Sequence, residues 1–246
     1  MRRFFIDKNI SVGDTLELTG DEARHLVTVL RMAAGSELIL INGSGAEHTA
    51  KLIKVGSDFA ELTVTGEALC AAEPVNKVAL YQCLPKAGKL DLIVQKCVEL
   101  GISSIHPVYS KRCIVKPERG ENKLIRYNKI AQEAAKQCGR AVVPRVHPVE
   151  ELKSVAFGEY DLVLIAYEDE HELGIKAALK AFARERGGQA SSIAIVIGPE
   201  GGFEAEEVDA VLKNGNARAV TLGCRILRTE TAGMAMLAML MYEMEG

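Results

Sequence analysis

Two glycine-containing stretches hold residue types that could bind a ligand, and the first is IGPEGGF at positions 197–203. Its glycines follow an apolar run and would let backbone groups approach a bound molecule closely. The spacing matches neither the Walker pattern G-x-x-x-x-G-K-[ST] nor G-x-G-x-x-G, and the glutamates of FEAEEVD occupy the next helix start, where a phosphate would otherwise bind. A neutral nucleoside or a cationic ligand fits better, with Glu200 accepting hydrogen bonds from hydroxyls. A tight strand-to-helix turn without a ligand is the alternative that this loop alone leaves open.

The second stretch is LGCRILRTETAGMAMLAML at positions 222–240. Gly223 marks a break between the preceding strand and a predicted helix. Arg225 and Arg228 lie among apolar residues, and Glu230 falls in the first turn of that helix. Residues 232–242 carry no charge, so this helix is apolar around its circumference and must be covered on more than one side. The segment is too short to cross a membrane. It predicts packing against the core or against a second copy of the chain, and we expect a homodimer.

The cysteines and histidines give no sign of a metal site. Six cysteines contain no C-x-x-C pair and five histidines contain no H-x-x-x-H pair, so the ligand spacings typical of zinc are missing. We expect reduced thiols and no bound metal. The opening MRRFFIDKNI lacks the apolar stretch of a secretion signal, which favours a cytoplasmic protein without a membrane partner.

The elements that must position these stretches form two series. Residues 76–246 alternate strand and helix patterns, as in a doubly wound α/β domain, and the apolar runs at 162–166 and 193–197 suit buried parallel strands. Ligands of such sheets bind beyond the carboxyl ends of the strands, where both glycine-containing stretches would lie. Residues 1–70 instead show short strand patterns with glycine or polar breaks, which predicts a small barrel or sandwich. The strand patterns are TLELTG, ELILING, AKLIKVG and AELTVTG, and one helix is predicted with Asp21 as its N-cap and Gly35 as its stop.

Charge is distributed unevenly although the formal net charge is only -3. Residues 76–145 hold 14 Lys and Arg against 5 Asp and Glu, whereas residues 146–246 hold 9 against 17. The basic excess favours a site for a polyanion such as RNA, and an ordinary solvated face is the alternative. The proposed phosphate contacts are Lys86, Lys89, Arg112, Arg140 and Arg145, with Arg2, Arg3 and Arg31 from the N-terminal region.

Several motifs resemble the bacterial 16S ribosomal RNA uridine-N3 methyltransferases of the SPOUT (alpha/beta knot) class. They are IGPEGGFEAEEV, LGCRILRTETA, LPKAGKLDLIVQKCVELGISSIHPVYSKR and AAKQCGRAVVPRV. RRFF and HLVTVLRMAAG resemble the small PUA-like RNA-binding domain of that family. The sequence departs from the family pattern at Cys224, where proline is expected, and at Lys111, where an acidic residue is common.

The resemblance implies a fold and a reaction. It implies a trefoil-knotted α/β methyltransferase domain over 76–246 with a small PUA-like β-barrel over 1–70, acting as a homodimer. The enzyme would use S-adenosylmethionine to methylate a uridine in the decoding region of the small ribosomal subunit. The cofactor residues implied by the resemblance are Gly198, Glu200, Gly201, Leu222, Gly223, Ile226 and Leu227.

Arg228 is our candidate catalytic residue. Uridine N3 carries a weakly acidic proton, so the enzyme must orient the base and stabilise the negative charge that develops when the proton leaves. A salt bridge to Glu230 or a dimer contact is the structural alternative for Arg228. The histidines lie outside both motifs, and no residue is singled out as a general base.

Two other function classes compete with this interpretation. A non-catalytic RNA-binding assembly factor would keep the fold and lose the chemistry, but the cofactor loops argue against it. A nicotinamide-dependent oxidoreductase lacks its phosphate fingerprint in this sequence. Binding of S-adenosylmethionine would separate both alternatives from the methyltransferase.

Overall fold

The computed structural model describes residues 2–86, 88–116 and 121–245. The chain divides into two compact units. The first comprises residues 1–73 and 135–143, and the second comprises residues 74–134 and 144–246. The short segment 135–143 therefore belongs with the N-terminal strands, a long-range association that no sequence pattern indicates.

The first unit contains a five-stranded sheet in the order β1-β3-β4-β5-β2. Its strands are β1 (Arg3–Phe5), β2 (Thr15–Thr19), β3 (Glu37–Ile41), β4 (Ala46–Val55) and β5 (Phe59–Leu69). Alternating apolar residues such as Leu38, Leu40, Leu62 and Val64 are buried, as expected for strands with one face on a core. The strand patterns at β2 to β5 are confirmed, and β1 is an addition.

The helix predicted within 21–35 is shorter and less regular than the sequence suggests. Helix α1 (Gly20–Arg24) is followed at once by a π-helical turn, His25–Val29, and the N-cap position is Thr19 rather than Asp21. Arg31 then takes a left-handed φ of 50°, which is uncommon for a residue with a side chain. The helix thus ends before Gly35, the predicted stop.

The second unit is built on a parallel sheet in the order β12-β10-β11-β6-β7-β8, with β9 pairing β7. The strands are β6 (Lys77–Cys83), β7 (Ser104–Tyr109), β8 (Arg145–Val146), β9 (Glu150–Glu151), β10 (Leu162–Ala166), β11 (Ser192–Ile197) and β12 (Ala217–Val220). The parallel α/β arrangement confirms the fold class. The trefoil knot that the resemblance implies stays a prediction.

Within the described residues, five helices accompany this sheet. They are α2 (Lys89–Glu99), α3 (Glu121–Cys138), α4 (Ile175–Arg186), α5 (Ala205–Leu212) and α6 (Thr229–Glu245). Helix α2 buries Leu90, Ile93 and Val94 on one face, and Gly101 follows its end with a φ of 94°, the left-handed conformation that closes many helices.

The two faces of the parallel sheet have different partners. Tyr81, Val163 and Val196 share a core with Phe203 and with Val208 of α5. Because side chains alternate along a strand, the neighbouring residues point to the opposite face, where α6 packs against β6 and β11. The candidate site lies where this second face meets the carboxyl ends of the strands.

Candidate functional site

A cavity of about 290 Å³ opens beyond the carboxyl ends of β10, β11 and β12. The turn after β11 forms one wall, and the loop that joins β12 to α6 forms another. Six of the seven predicted cofactor residues line it: Gly198, Glu200, Leu222, Gly223, Ile226 and Leu227. The structure therefore brings together two stretches, 197–203 and 222–240, that are separated by eighteen residues in the sequence.

The two adjacent glycines of the turn face different neighbours. A Cβ atom at Gly201 would lie 3.2 Å from Cβ of Arg112, so Gly201 faces that segment and does not line the cavity. Gly202 does line it, with a φ of +70°, and a Cβ there would lie 2.5 Å from Oε1 of Glu168. The left-handed φ of Gly202 favours glycine there, and Gly202 is the one of the two that lines the cavity.

Glu200 braces the turn against the segment before α2. Its Oε1 accepts a hydrogen bond from the backbone N–H of Lys86 at 3.0 Å and lies 3.6 Å from Nζ of Lys89. Burial alone would raise the pKa of the Glu200 carboxyl, but the Lys86 N–H and the charge of Lys89 outweigh it and lower the pKa. Glu200 is therefore ionised at neutral pH, and one of its oxygens already has a protein partner.

Lys89 joins both walls of the cavity through ion pairs. Its Nζ lies 3.0 Å from Oε2 of Glu230 in addition to its contact with Glu200. For Glu230, burial opposes ionisation, but its own N–H and Lys89 together lower the carboxyl pKa. These two carboxylates place Lys89 between the cavity loops, and the contact with RNA that the sequence suggests for Lys89 stays a prediction.

Arg228 lines the cavity and is exposed. Glu230 takes Lys89 as its ion-pair partner, and within residues 2–86, 88–116 and 121–245 the guanidinium of Arg228 forms no ion pair with any carboxylate. The salt bridge to Glu230, which was the structural alternative, is therefore not made. The guanidinium of Arg228 is available to a substrate at the mouth of the cavity.

The start of α5 is occupied by carboxylates. The backbone N–H of Glu204 donates to Oε2 of Glu207 at 3.0 Å, and the N–H of Lys111 donates to Oε1 of Glu207 at 2.8 Å. Nε of Arg112 donates to Oε1 of Glu204 at 3.0 Å. A phosphate at this helix start would meet two carboxylates, which agrees with the exclusion of a phosphate site from the sequence.

Other residues that line the cavity were not among the site residues predicted from the sequence, and they include Tyr167, Glu168, Thr221 and Thr229. Tyr167 and Glu168 come directly after β10, and Thr221 directly follows β12. Tyr167, Glu168 and Thr221 could have been predicted from their positions directly after strands, because the carboxyl ends of neighbouring parallel strands meet at one edge of the sheet.

The side chains predicted to contact RNA in the second unit differ in their exposure and in their hydrogen bonds to other residues of the protein. Lys86 and Arg145 are exposed. Arg112 is exposed as well, but in addition to its bond to Glu204 its Nη1 donates to the carbonyl oxygen of Gly201 at 3.0 Å. Arg112 therefore supports the glycine turn, whereas the side chains of Lys86 and Arg145 are accessible to a phosphate.

In the first unit, the burial of Arg140 contradicts its predicted contact with RNA. Arg2, Arg3 and Arg31 are exposed, and Arg3 pairs with Glu47 at 2.6 Å. Arg140 is only 3% exposed, and its Nη2 lies 2.8 Å from Oε2 of Glu73. A phosphate cannot reach a guanidinium that is buried in this way, so Arg140 stabilises the unit and does not contact RNA.

Neither a metal centre nor a membrane span is evident in the part of the chain that the structure describes. Among those residues no three His, Cys, Asp or Glu side chains lie where they could hold a metal ion together. Within the same residues, no helix combines the length and apolar character needed to cross a bilayer.

Comparison with known proteins identifies both units. The RNA methyltransferase domain profile matches residues 71–241, and the RNA methyltransferase PUA domain profile matches residues 18–65. The chain is 34% identical over 252 aligned positions to the ribosomal RNA small subunit methyltransferase E of Bacillus subtilis, covering 100% of this chain and 98% of that protein.

The chain belongs to the RNA methyltransferase family.

Two solved structures resemble this RNA methyltransferase along nearly its whole length. One is a ribosomal RNA small subunit methyltransferase E from Neisseria gonorrhoeae bound to S-adenosyl methionine, with 32% identity, a TM-score of 0.80, and coverage of 98% of this chain and 97% of that one. The other is a Legionella pneumophila methyltransferase in complex with S-adenosylmethionine, with 29% identity, a TM-score of 0.77, and coverage of 98% and 96%. Residues 18–65 are thus PUA-like, and residues 71–241 match the RNA methyltransferase domain.

Proposed function

We propose that this RNA methyltransferase uses S-adenosylmethionine to methylate N3 of a uridine in the decoding region of 16S ribosomal RNA. The observation that carries the proposal is the single cavity formed by the 198–203 turn and the 221–229 loop in a chain of this family. The relatives named as small subunit rRNA methyltransferases, together with two solved structures that contain the cofactor, support the cofactor and the RNA class. The N3 position and the decoding region rest on the sequence resemblance.

The residues of the cavity fit S-adenosylmethionine. The cofactor carries a sulfonium cation and no phosphate, and the carboxylates of Glu168 and Glu200 line the cavity. Leu222, Ile226 and Leu227 provide apolar surface for its adenine ring. We propose that these residues hold it together with backbone groups of Gly198, Gly202 and Gly223. When bound, the cofactor supplies an electrophilic methyl group.

The chain's own contribution to the reaction is orientation and charge. Methylation at uridine N3 requires loss of the N3 proton, and negative charge then spreads onto the neighbouring carbonyl oxygens of the base. We propose that Arg228, exposed at the cavity and paired with no carboxylate of the described residues, donates hydrogen bonds to the base and stabilises this charge.

RNA binding is proposed for the exposed cations in each unit. In the RNA methyltransferase domain these are Lys86 and Arg145, with Arg112 adding charge beside the glycine turn. In the PUA-like unit they are Arg2, Arg3 and Arg31. Arg140 is removed from the interface because it is buried against Glu73. Lys89 is partly exposed and remains a proposed contact beside its two carboxylate partners.

A homodimer through α6 is also proposed. Met239 is 42% exposed, Tyr242 is 79% exposed, and Ile226 of the preceding loop is 84% exposed. Met239 and Tyr242 border a second cavity, whose lining includes Thr221, Leu222 and Gly223. An apolar surface of this kind is commonly covered by a second copy of the chain, and here it would adjoin the cofactor loop.

We also propose that this enzyme acts in the cytoplasm, where the ribosome is found.

The decisive experiment compares ribosomal RNA nucleosides from cells with and without the protein by mass spectrometry. Loss of N3-methyluridine at one 16S position, restored by the wild-type protein and not by Arg228→Ala, is the expected result. Retention of the modification would reject the proposed reaction. Calorimetry with S-adenosylmethionine and NAD distinguishes the alternatives: an assembly factor without the chemistry binds neither, and an oxidoreductase binds only NAD.

A further inference from the structure

A buried amide ties the two walls of the cavity together. Gln82, near the end of β6, is fully buried, and its Nε2 donates to Oγ1 of Thr229 at 2.8 Å and to the carbonyl oxygen of Cys83 at 3.1 Å. The Thr229 hydroxyl donates in turn to the carbonyl oxygen of Gly198 at 2.6 Å. One chain of hydrogen bonds thus joins the parallel sheet, the first residue of α6 and the first glycine of the turn.

The direction of this chain is fixed by the number of protons. The single hydroxyl proton of Thr229 is used toward Gly198, so the hydroxyl can only accept from Gln82. Both amide protons of Gln82 are used as well, because the second one goes to Cys83. Aspartate or glutamate could not replace this amide, since an ionised carboxylate has no proton to donate.

The hydrogen bond to the Gly198 carbonyl oxygen determines how the peptide between Gly198 and Pro199 is oriented. The peptide that follows Gly198 has no N–H group, because the next residue is Pro199. Its carbonyl oxygen is therefore the polar group through which this peptide can be oriented by the protein, and Thr229 is its hydrogen-bond partner. Because Gly198, Pro199 and Thr229 all line the cavity, the orientation of this peptide shapes the ligand site directly.

The buried amide of Gln82 has one oxygen atom, Oε1, without a hydrogen-bond partner among the described residues. This arrangement is unfavourable for stability. Helix α6 comes close at this point, where a Cβ atom on Gly233 would lie 3.2 Å from that oxygen. An apolar side chain would fill the same space without an unpaired acceptor, so the function of the amide lies in what its N–H groups hold.

We infer that Gln82 is a positioning residue for cofactor binding, acting through Thr229 to hold the Gly198 carbonyl. This inference rests on the proposed use of S-adenosylmethionine. Gln82 does not line the cavity, so its effect is on the shape of the turn that binds the cofactor. Removing the amide or the hydroxyl should therefore weaken cofactor binding more than it slows the reaction of the bound complex.

The test measures S-adenosylmethionine binding by calorimetry and steady-state methylation with full-length variants. Gln82→Met and Thr229→Val should each raise the cofactor Kd by roughly five- to twenty-fold, while kcat at saturating cofactor stays within about threefold. Thr229→Ser keeps the hydroxyl and should bind the cofactor within about threefold of wild type. Gln95→Met, on the exposed side of α2, is the matched control for a glutamine-to-methionine change.

A double variant adds a sharper criterion. If both residues act on the Gly198 carbonyl, Gln82→Met together with Thr229→Val should bind the cofactor about as well as Thr229→Val alone. Unchanged Kd in folded Gln82→Met, a loss in Thr229→Ser as large as in Thr229→Val, or fully additive effects would overturn the inference. Thermal denaturation identifies folded variants, and Gln82→Met alone decides if Thr229→Val does not fold. Wild-type protein that binds no S-adenosylmethionine would instead reject the proposed function.

Discussion

At the scale of single residues, Arg228 and Glu230 lie two positions apart and take different partners. Glu230 pairs with Lys89, whereas Arg228 lines the cavity. We expect Arg228→Ala to lower kcat by roughly 10²- to 10³-fold, as for loss of a group that stabilises developing charge, and to leave the cofactor Kd within about threefold. Single-turnover methylation and calorimetry measure the two quantities.

The control for this prediction is Arg184→Ala, which removes an exposed arginine in the last turn of α4. It should leave kcat unchanged. Weaker cofactor binding with an unchanged kcat in Arg228→Ala would assign that residue to cofactor binding instead of charge stabilisation.

Cys113 is a second residue whose environment alters its chemistry. Its Sγ lies 3.4 Å from the donating N–H of Ser110, and hydrogen bonding from the Cys83 thiol is the main cause that lowers the Cys113 pKa to about 6. The buried Cys83 thiol has its pKa raised well above the usual range by the same interaction and by burial. Of these two thiols, Cys113 is therefore the one that ionises more readily.

We expect iodoacetamide to modify Cys113 with a rate that is half-maximal at about pH 6, below the value of roughly 8.5 typical of an ordinary thiol. Peptide mass spectrometry after brief labelling gives the rate for each cysteine. The exposed Cys224 serves as the internal reference. Labelling of Cys113 that rises only in the alkaline range would contradict the prediction.

At the scale of elements, β6 and β7 carry a stack of rings on one face of the sheet. His106 stacks on Tyr81 at 4.5 Å between ring centroids and on His147 at 4.0 Å. Its Nε2 lies 3.0 Å from Oγ of Ser104, and its Nδ1 lies 4.0 Å from Oε1 of Glu150. Burial, with a smaller contribution from His147, lowers the His106 pKa to about 4.

This shift makes the folded protein sensitive to acid. An unfolded histidine titrates near 6.5, so between about pH 6.5 and 4 the unfolded chain binds a proton that the native chain does not, and stability falls. We expect His106→Phe, which keeps a ring in the stack, to reduce the loss of Tm between about pH 7.5 and 5. For chains of this size, a change of 1 kcal/mol in the free energy of unfolding shifts Tm by roughly 2–4 °C.

Thermal denaturation across pH measures this effect. His171→Phe changes an exposed histidine after β10 and should leave the pH dependence of Tm as in wild type. An identical acid loss in His106→Phe and wild type would assign the sensitivity to other groups.

At the scale of the whole molecule, the surface of α6 predicts association. Met239→Glu places a charge on the exposed apolar face and should lower the dimer fraction at micromolar concentration. It should also weaken S-adenosylmethionine binding, because the adjoining cavity includes Leu222 and Gly223 of the cofactor loop. Analytical ultracentrifugation and calorimetry measure the two effects.

The matched control is Leu92→Glu, at a residue of α2 that is 45% exposed and is not part of the proposed interface. It should leave both association and cofactor binding unchanged. A wild-type monomer with full cofactor affinity would reject the dimer and the coupling together.

RNA affinity is the second property of the whole molecule. Replacing Lys86 and Arg145 with alanine should weaken RNA binding and reduce the slope of log K against log salt by about 0.7–0.9 for each phosphate that is no longer neutralised. Filter binding at several salt concentrations gives the slope. An unchanged slope would mean that these cations form only a solvated face, and cofactor binding should remain as in wild type.

The sequence by itself determined the elements and the two motifs of the site. Strand and helix patterns follow from apolar periodicity, which is local, and the glutamates after the glycine turn exclude phosphate through their type alone. The family and the cofactor class follow from the same motifs, because they are long and specific. The π-helical turn at His25–Val29 and the strand Arg3–Phe5 lay beyond local patterns, since tertiary packing decides short or irregular elements.

Only the tertiary structure decided which partner each charged or polar side chain has. Arg140 lies in a basic segment and looks like an RNA contact, but it is buried against Glu73, which is distant in sequence. Lys89 pairs with Glu200 and Glu230, which are also distant in sequence. Burial and ion pairing depend on which elements meet, and a composition count carries no such information. The bond from Gln82 to Thr229 spans 147 positions, so its existence depends on packing β6 against the start of α6.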